Sequence, residues 1–436
     1  GLAGGEEVGR ICIKSLLEGG IHRFYCSAFW PKHVSAACNR RYNAPMSIFQ
    51  RLRVLELASV LAGPATGVFF AELGATVIKV ENPRTAGDVT RSWKLTSEAP
   101  DHDVSAYFSS VNWGKQSLAI DLQQPQGGEL VRRLADQCDV VIANYKPGDA
   151  EKLGVDAQTL RTRNPRLIYA HLTGYGAHDA RAGYDAVIQA ESGFIFLNGE
   201  PDGPPLKLPV ALMDLLAAHQ MKEAILVALL ERSITGEGAT LQVSLLQSAL
   251  ASLANQATNW LVAGQAPVPM GSEHPNIVPY GSMYPCADGA VILLAVGNDK
   301  QFARLCQALE VPELAKDARF VTNPARVLHR QVLHPILLER FQHYQRDPLL
   351  AQLQQLGVPA GAVHNIPEAL AQPEAQALLL SADGLKGLRT FACEGVPAQS
   401  LTPPPACGAH TVQILQDWLQ LTDLEIRQLQ HSQVIA

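Results

Sequence analysis

The sequence predicts an α/β protein with an open, Rossmann-like, mostly parallel sheet in a large domain, and a second, smaller α/β domain. Three observations predict it. Short apolar runs alternate with helical segments from residue 51 onward, Gly and Pro punctuate the joins, and the texture shifts toward Gly, Pro and Asn around residues 264–290. Strand–helix alternation of this kind lays parallel strands side by side and packs the helices on their faces.

Val54 to Ala58 reads as the first strand, and Gly63-Pro64 opens a helix that runs to Leu73 with Pro in its first turn. Thr76 to Val80 is a second strand. Leu118 to Leu122 is strand-like, and Pro125 to Gln137 places Leu130, Val131, Leu134 and Ala135 on one helical face. Asp139 to Asn144 and Leu167 to Leu172 repeat the strand pattern. A long helix is expected over Leu215 to Arg232, then a strand from Ala239 to Ser244 running into a helix over Leu245 to Leu253. Ala287-Asp288-Gly289 marks a hairpin before the strand Val291 to Val296, and a helix follows over Asp299 to Leu309. The last amphipathic helix is expected from Thr411 to Leu421, after Pro403-Pro404-Pro405. The expected organisation is a leader at 1–45, the first part of the large domain at 46–255, the small domain with its linkers at 256–385, and a return to the large domain at 386–436. The small domain itself is centred on about 270–375. The leader shows no helical or strand period, and Met46 followed by Ser-Ile-Phe-Gln-Arg-Leu-Arg reads as a natural start, so residues 1–45 are expected to be disordered or a non-native extension.

With 436 residues and 47% hydrophobic content the chain has material for an extended core. A net charge of −6 gives no basic field, which argues against nucleic acid as a partner. The most apolar long stretch, Leu208 to Leu230, is interrupted by Asp214, His219, Lys222 and Glu223, so a membrane span is not expected. Eight cysteines are scattered with no Cys-x-x-Cys pair, and no His cluster has metal-site spacing. Reduced thiols, no metal, and a cytoplasmic location (mitochondrial if the source is eukaryotic) are the expectations. The first strand–helix turn lacks Gly-x-Gly-x-x-Gly, so a nicotinamide dinucleotide is not expected; phosphate-loop, His-Glu-x-x-His and Gly-x-Ser-x-Gly motifs are also missing. Open parallel sheets bind ligands at the carboxyl ends of their strands. That points to Ala62-Gly63-Pro64, Glu81-Asn82-Pro83 and Asn144-Tyr145-Lys146-Pro147-Gly148.

Several motifs occur in a fixed order: Leu52-Arg53-Val54-Leu55-Glu56-Leu57, Leu61-Ala62-Gly63-Pro64, Leu73-Gly74-Ala75-Thr76-Val77-Ile78-Lys79-Val80-Glu81, and Gly87-Asp88-Val89-Thr90-Arg91. Asn144-Tyr145-Lys146-Pro147-Gly148, Asn164-Pro165-Arg166-Leu167-Ile168-Tyr169, Gly183-Tyr184-Asp185 and Gly408-Ala409-His410-Thr411 continue the series. Together they resemble the family III CoA-transferases (the CaiB/BaiF group, which includes formyl-CoA transferase) from about residue 50 to the C-terminus. The resemblance implies a homodimer of two interlocked rings. It also implies transfer of coenzyme A from an acyl-CoA to a free carboxylic acid, with the CoA thioester as substrate and no tightly bound cofactor.

By the same resemblance the nucleophile is Asp214, in Ala211-Leu212-Met213-Asp214-Leu215 after the loop Asp202-Gly203-Pro204-Pro205. Read from the residues alone, Asp214 is a helix N-cap; the two roles are compatible, because a helix N-terminus favours an ionised carboxylate. Asp185 matches a family acid near the nucleophile. Tyr184 stands where the superfamily's racemases carry a His, and a phenol with pKa near 10 is a poor acid–base group for proton exchange at carbon. For CoA, the resemblance implies Lys79, Arg91, Asn144 and Lys152 as phosphate or adenine contacts, with Leu153 packing against the base. Arg91 could equally serve the acid, and Lys207 or His274 could meet a distal carboxylate. Asn82 and Leu61 depart from the family pattern, and His274 to Tyr280 lacks the glycine run of formyl-CoA transferase. The alternatives left open are an acyl-CoA isomerase, either racemase-like or moving CoA within one molecule, and a non-catalytic CoA-binding protein.

Overall fold

The computed structural model describes residues 49–436. The expectation for residues 1–45 lies outside them. Six parallel strands form the main sheet: β1 (Arg53–Leu57), β2 (Thr76–Glu81), β3 (Gln116–Ala119), β4 (Val140–Ala143), β5 (Ile168–Thr173) and β6 (Thr240–Ser244). Their order is β3-β2-β1-β4-β5-β6, so the chain starts in the middle, builds outward in one direction, and then returns to build in the other. The strand order reverses between β1 and β4. A crevice opens at such a point because the connections leaving the two strands diverge to opposite sides of the sheet.

Helix α1 (Ala62–Glu72) packs on one face with the later helices α6 (Leu212–Thr235) and α7 (Leu245–Ala251). Between α1 and α6 in the chain come α2 (Pro125–Ala135), α3 (Asp149–Leu153), α4 (Ala157–Arg163) and α5 (Asp185–Glu191). The period-two alternation of β1 assigns its side chains to the two cores. Val54 joins the cluster beneath α1 and α6, while Leu55 and Leu57 join the cluster on the opposite face with Leu130, Val131 and Leu134 of α2. A third core lies wholly within residues 278–360. It covers the antiparallel sheet of β7 (Tyr280–Pro285), β8 (Val291–Ala295) and β9 (Ala360–Ala362) with α8 (Asp299–Ala308), α9 (Arg330–Phe341) and α10 (Arg346–Gln355).

Residues 402–436 return to the first sheet. Gly114 N–H donates to the Thr402 carbonyl, Thr411 Oγ1 accepts from Ala119 N–H, and Asp121 N–H donates to the Val434 carbonyl at 2.8 Å. Ile414, Leu415 and Leu419 of α11 (Thr411–Leu419), with Val434 and Ile435, complete the second cluster. This return accounts for one difference from the sequence reading. Strand β3 ends at Ala119 rather than Leu122: the Ile120 N–H still donates to the Glu81 carbonyl at 2.9 Å, but Ile120 itself bridges antiparallel to Ile435. Both contacts bury Ile120, so the apolar pattern alone does not separate them.

Glu56 breaks the alternation of β1: it is a fully buried carboxylate on the face beneath α1. Lys79 of β2 donates to it at 3.1 Å and Lys115 at 2.7 Å, each ammonium as buried as the acid. Lys79 also meets Asp88 at 2.8 Å and the Ala58 carbonyl at 2.8 Å; Lys115 also meets the Pro64 carbonyl and Asn112. Burial opposes the charge on Lys79, but Glu56 and Asp88 outweigh it and hold its pKa above the ordinary lysine value. For Lys115 burial prevails, with Lys79 as a like-charged neighbour, and its pKa falls to about 8. The Glu56 carboxylate presses against α1 at Gly67, where a Cβ would lie 2.0 Å from Oε2. Only glycine fits there. Among the described residues no helix is long and apolar enough to cross a membrane. Cys138, Cys286 and Cys306 are buried free thiols, Cys407 is half-buried and Cys393 exposed.

Replacing Glu56 by Gln leaves two buried ammonium groups short of one counter-charge. Breaking such a buried pair costs about 3–5 kcal/mol. Urea denaturation of Glu56→Gln should show a loss of that size; a loss within about 0.5 kcal/mol, the range of an ordinary surface change, would mean the network carries no stability.

Candidate active site

Two acids from different helices meet at the start of α6. Asp185 is the first residue of α5, and its Oδ1 accepts the N–H of Met213 at 2.8 Å and that of Asp214 at 3.4 Å. Its Oδ2 accepts from Gln189 Nε2 at 2.6 Å, one turn further along α5. Gln189 Oε1 in turn accepts the Leu208 N–H at 2.9 Å, tying down the segment that leads into α6. Asp185 therefore caps α6 from outside. This corrects the N-cap reading of Asp214: the N-cap is Ala211, which makes no side-chain cap bond, and Asp214 is the third residue of the helix. It also explains why α6 begins at Leu212, a turn earlier than the sequence predicts, since its capping acid lies far away in the chain.

The Asp214 carboxylate is left unspent. Among the described residues no donor or cation pairs with it, and it lines a cavity of about 280 Å³. Burial, and then the negative charge of Asp185, push its pKa up to about 7. The opposite wall is the turn Ser59-Val60-Leu61-Ala62 between β1 and α1. Val60 sits there at φ 71°, a left-handed conformation that a β-branched residue adopts only when held. Asp88 holds it, accepting the Val60 N–H at 3.2 Å while itself fixed by Lys79. Leu61, Ala65 and Val68 pack against Ala218, with Ala211 and Leu215 beside them, so the first turns of α1 and α6 are docked together. Among the described residues no acceptor takes the N–H groups of Leu61 or Ala62. These are the free donors of a helix start.

A second cavity, of about 880 Å³, adjoins the first over the ends of β1, β2 and β4; Ser59, Asn144, Tyr145 and Lys146 line both. It contains three of the residues expected to contact CoA, yet each is already engaged. Lys79 is consumed by Glu56 and Asp88. Arg91 is buried over the ring of Phe108 and forks onto Glu81 at 2.7 and 2.8 Å, with Asp103 at 3.2 Å. Direct phosphate contact by either would compete with a buried ion pair. Asn144 exchanges hydrogen bonds with the backbone of Ser59, at 2.9 and 3.2 Å, and clasps β1 to β4 at the switch point. Lys152 is exposed and paired with Asp149, Leu153 packs toward the second core cluster, and neither lines the two cavities. Tyr184 is 65% exposed at the cavity rim. Lys207, bonded to the Leu208 carbonyl, and His274, edge-on to Tyr280, line neither cavity.

The model of CoA-transferase family III matches residues 49–411. This chain belongs to CoA-transferase family III. Succinate–glutarate CoA-transferase of Agrobacterium fabrum is 41% identical over 380 residues, covering 84% of this chain and 94% of that protein. Human succinyl-CoA:glutarate CoA-transferase is 34% identical, covering 88% and 89%. A solved CaiB/BaiF family protein from Brucella suis superposes with a TM-score of 0.74 at 40% identity, covering 84% of this chain and 98% of that one. The family III chain is thus an acyl-CoA:carboxylate CoA-transferase, and its parallel sheet is the family's.

Sequence reasoning passed over three residues of this site. Gln189 lies one helical turn after Asp185, but its clamp on Asp185 and Leu208 depends on chain segments that only the fold brings together. Tyr107 is half-buried, and burial followed by the charges of Asp214, Asp185 and Asp88 raises its pKa, which marks a neutral phenol near the acid pair. Nothing local in the sequence points to it. Lys146 was visible inside Asn144-Tyr145-Lys146-Pro147-Gly148, and its position between the two cavities is new. Among the described residues no group of His, Cys, Asp and Glu is arranged to hold a metal ion.

The raised pKa of Asp214 bears on stability. The folded chain holds this proton more tightly than the unfolded chain does, so the group's contribution is complete below 3.8 and is lost as pH rises through about 7. Asp214→Asn should therefore raise the thermal midpoint at pH 8 and bring no gain at pH 4. An equal effect at both values would show that the carboxylate is not desolvated in solution.

Proposed function

We propose that the family III chain transfers coenzyme A through Asp214 as a covalent carboxylate nucleophile, with short dicarboxylic acids as donor and acceptor acyl groups. One observation carries the reading: a half-buried carboxylate, uncompensated by any cation among the described residues, lines a cavity at the carboxyl ends of parallel strands. Withdrawal from water makes such a carboxylate reactive. The dicarboxylic class follows from the relatives, whose names specify succinate, glutarate, citramalate and mesaconate.

In the proposed sequence, ionised Asp214 attacks the thioester carbonyl, the C–S bond breaks, and CoA leaves as the thiolate. The product is a mixed anhydride. The thiolate attacks the aspartyl carbonyl and expels the donor acid, leaving an aspartyl–CoA thioester. The acceptor carboxylate then attacks that thioester and frees the thiolate, which attacks the acceptor's own carbonyl and restores Asp214. Each step exchanges one activated acyl bond for another, so no nucleotide is consumed. The tetrahedral intermediates carry an oxyanion, and the free N–H groups of Leu61 and Ala62 are the proposed donors. Asp185 positions Asp214 by fixing the first turn of α6, and its charge keeps the nucleophile basic. Tyr184 belongs to the rim.

The larger cavity is the proposed seat of CoA, its floor formed by the Lys79 and Arg91 ion pairs rather than its phosphates bound by them. The interlocked homodimer belongs to the same proposal. Leu230 and Ile234 of α6, with Trp260, Leu261 and Val262, are exposed apolar side chains suited to burial by a second copy. The limits 46–255, 256–385 and 386–436 stand as its domain scheme.

Incubation with succinyl-CoA followed by hydroxylamine should leave a hydroxamate at Asp214, located by peptide mass spectrometry. Asp214→Ala should lose at least about 1,000-fold in turnover, as nucleophile removal does elsewhere. Full turnover by that variant would end the assignment.

A further inference from the structure

The cavity that holds Asp214 carries an unbalanced charge. Its walls present the carboxylates of Asp179, Asp185 and Asp214, and its cations are Arg181 and Lys146. Arg181 is already neutralised. Its Nε and Nη2 fork onto Asp179 at 3.0 and 2.8 Å, its Nη1 lies 3.6 Å from Glu191, and its guanidinium stacks on Tyr175 at 3.8 Å. Lys146 is different. Among the described residues neither a carboxylate nor a carbonyl takes its ammonium group, although it stands on the wall common to both cavities.

The backbone beneath Lys146 is fixed from both sides. Asn144 is clasped to Ser59, the Tyr145 carbonyl meets His171 Nε2 at 2.9 Å, Pro147 restricts the backbone of Lys146 before it, and the Lys146 carbonyl accepts the Asp149 N–H at 3.1 Å. The side chain itself is exposed and free to turn into either cavity. A volume of about 280 Å³ lies just below the roughly 300–1,000 Å³ typical of ligand pockets, which suits a short acid. A dicarboxylic acyl group brings one carboxylate to Asp214 as the reacting centre and a second that stays ionised. Asp179 is paired with Arg181, but beside Asp185 and Asp214 that second charge is repelled unless a cation meets it.

We infer that Lys146 is the residue that reads the second carboxylate, and so selects dicarboxylic over monocarboxylic acyl groups. The inference rests on the transfer reading above and adds a specificity residue to it. Lys207 and His274, which the sequence offered for this task, lie outside the cavity.

The test compares kcat/KM for succinyl-CoA with that for butyryl-CoA, which has the same chain length and lacks the second carboxylate, each with glutarate as acceptor. Losing a hydrogen bond to a charged group costs roughly 10- to 100-fold. In Lys146→Met the succinyl-to-butyryl ratio should fall by about that factor, and Lys146→Arg should recover part of it. A ratio equal to that of the unaltered protein overturns the inference. If both donors had lost activity equally, Lys146 would serve the CoA portion; if neither had, it would serve no substrate. Failure of the unaltered protein to turn over either donor would instead strike the transfer reading, a result separate from an unchanged ratio.

Discussion

A glutamate with no access to water, held between two equally buried lysines, is the constraint from which the rest of this molecule follows. Glu56 occupies a core position of the central strand, where an apolar residue would satisfy the alternation without cost. Its two partners come from different parts of the chain, and each then fixes something else. Lys115 reaches the Pro64 carbonyl and Asn112, which sets the height of α1 over the sheet. Lys79 continues to Asp88, and Asp88 captures the Val60 N–H together with Thr90. The strained turn facing Asp214 is thereby bound through two carboxylates and a lysine to the middle of the sheet. A buried ion pair contributes little net stability compared with a well-packed apolar alternative. Here it specifies where a loop must stand.

The two acids of the site divide what one might have done. A helix start needs an acceptor for its free N–H groups, and a nucleophile needs its lone pairs unused. An N-cap aspartate at Asp214 would have spent on its own helix the oxygen required for attack. Asp185 removes that conflict by supplying the cap from α5. Its proximity also keeps the neighbouring carboxylate from being over-stabilised as an anion, which would blunt its nucleophilicity.

Much of this was legible in the sequence because it depends on local pattern. The strands β1, β2, β4, β5 and β6, the helix α2 and the hairpin at Asp288 follow from periodicity and turn residues, and the motif series led to Asp214. What was not legible depends on distance in the chain. The end of β3 is decided by Ile435, the start of α6 by Asp185, and the engagement of Lys79 and Arg91 by Glu56 and Glu81. A lysine in a strand reads the same whether it faces solvent or a buried acid. That ambiguity covers Lys79 and Arg91, both engaged by buried acids, while Lys152 and Leu153 lie beyond the cavity walls.

The last residues of the chain impose an order on synthesis. The core within residues 278–360 is contiguous and can close as soon as it leaves the ribosome. The sheet that carries Asp214 is older in the sequence yet finishes later, because the β3 edge and one face of its core wait for Val434 and Ile435. During translation the nascent chain thus holds a completed second core beside a large half whose outer strand is still uncovered. That interval, rather than the finished fold, is when its unpaired edge is open to a neighbouring chain.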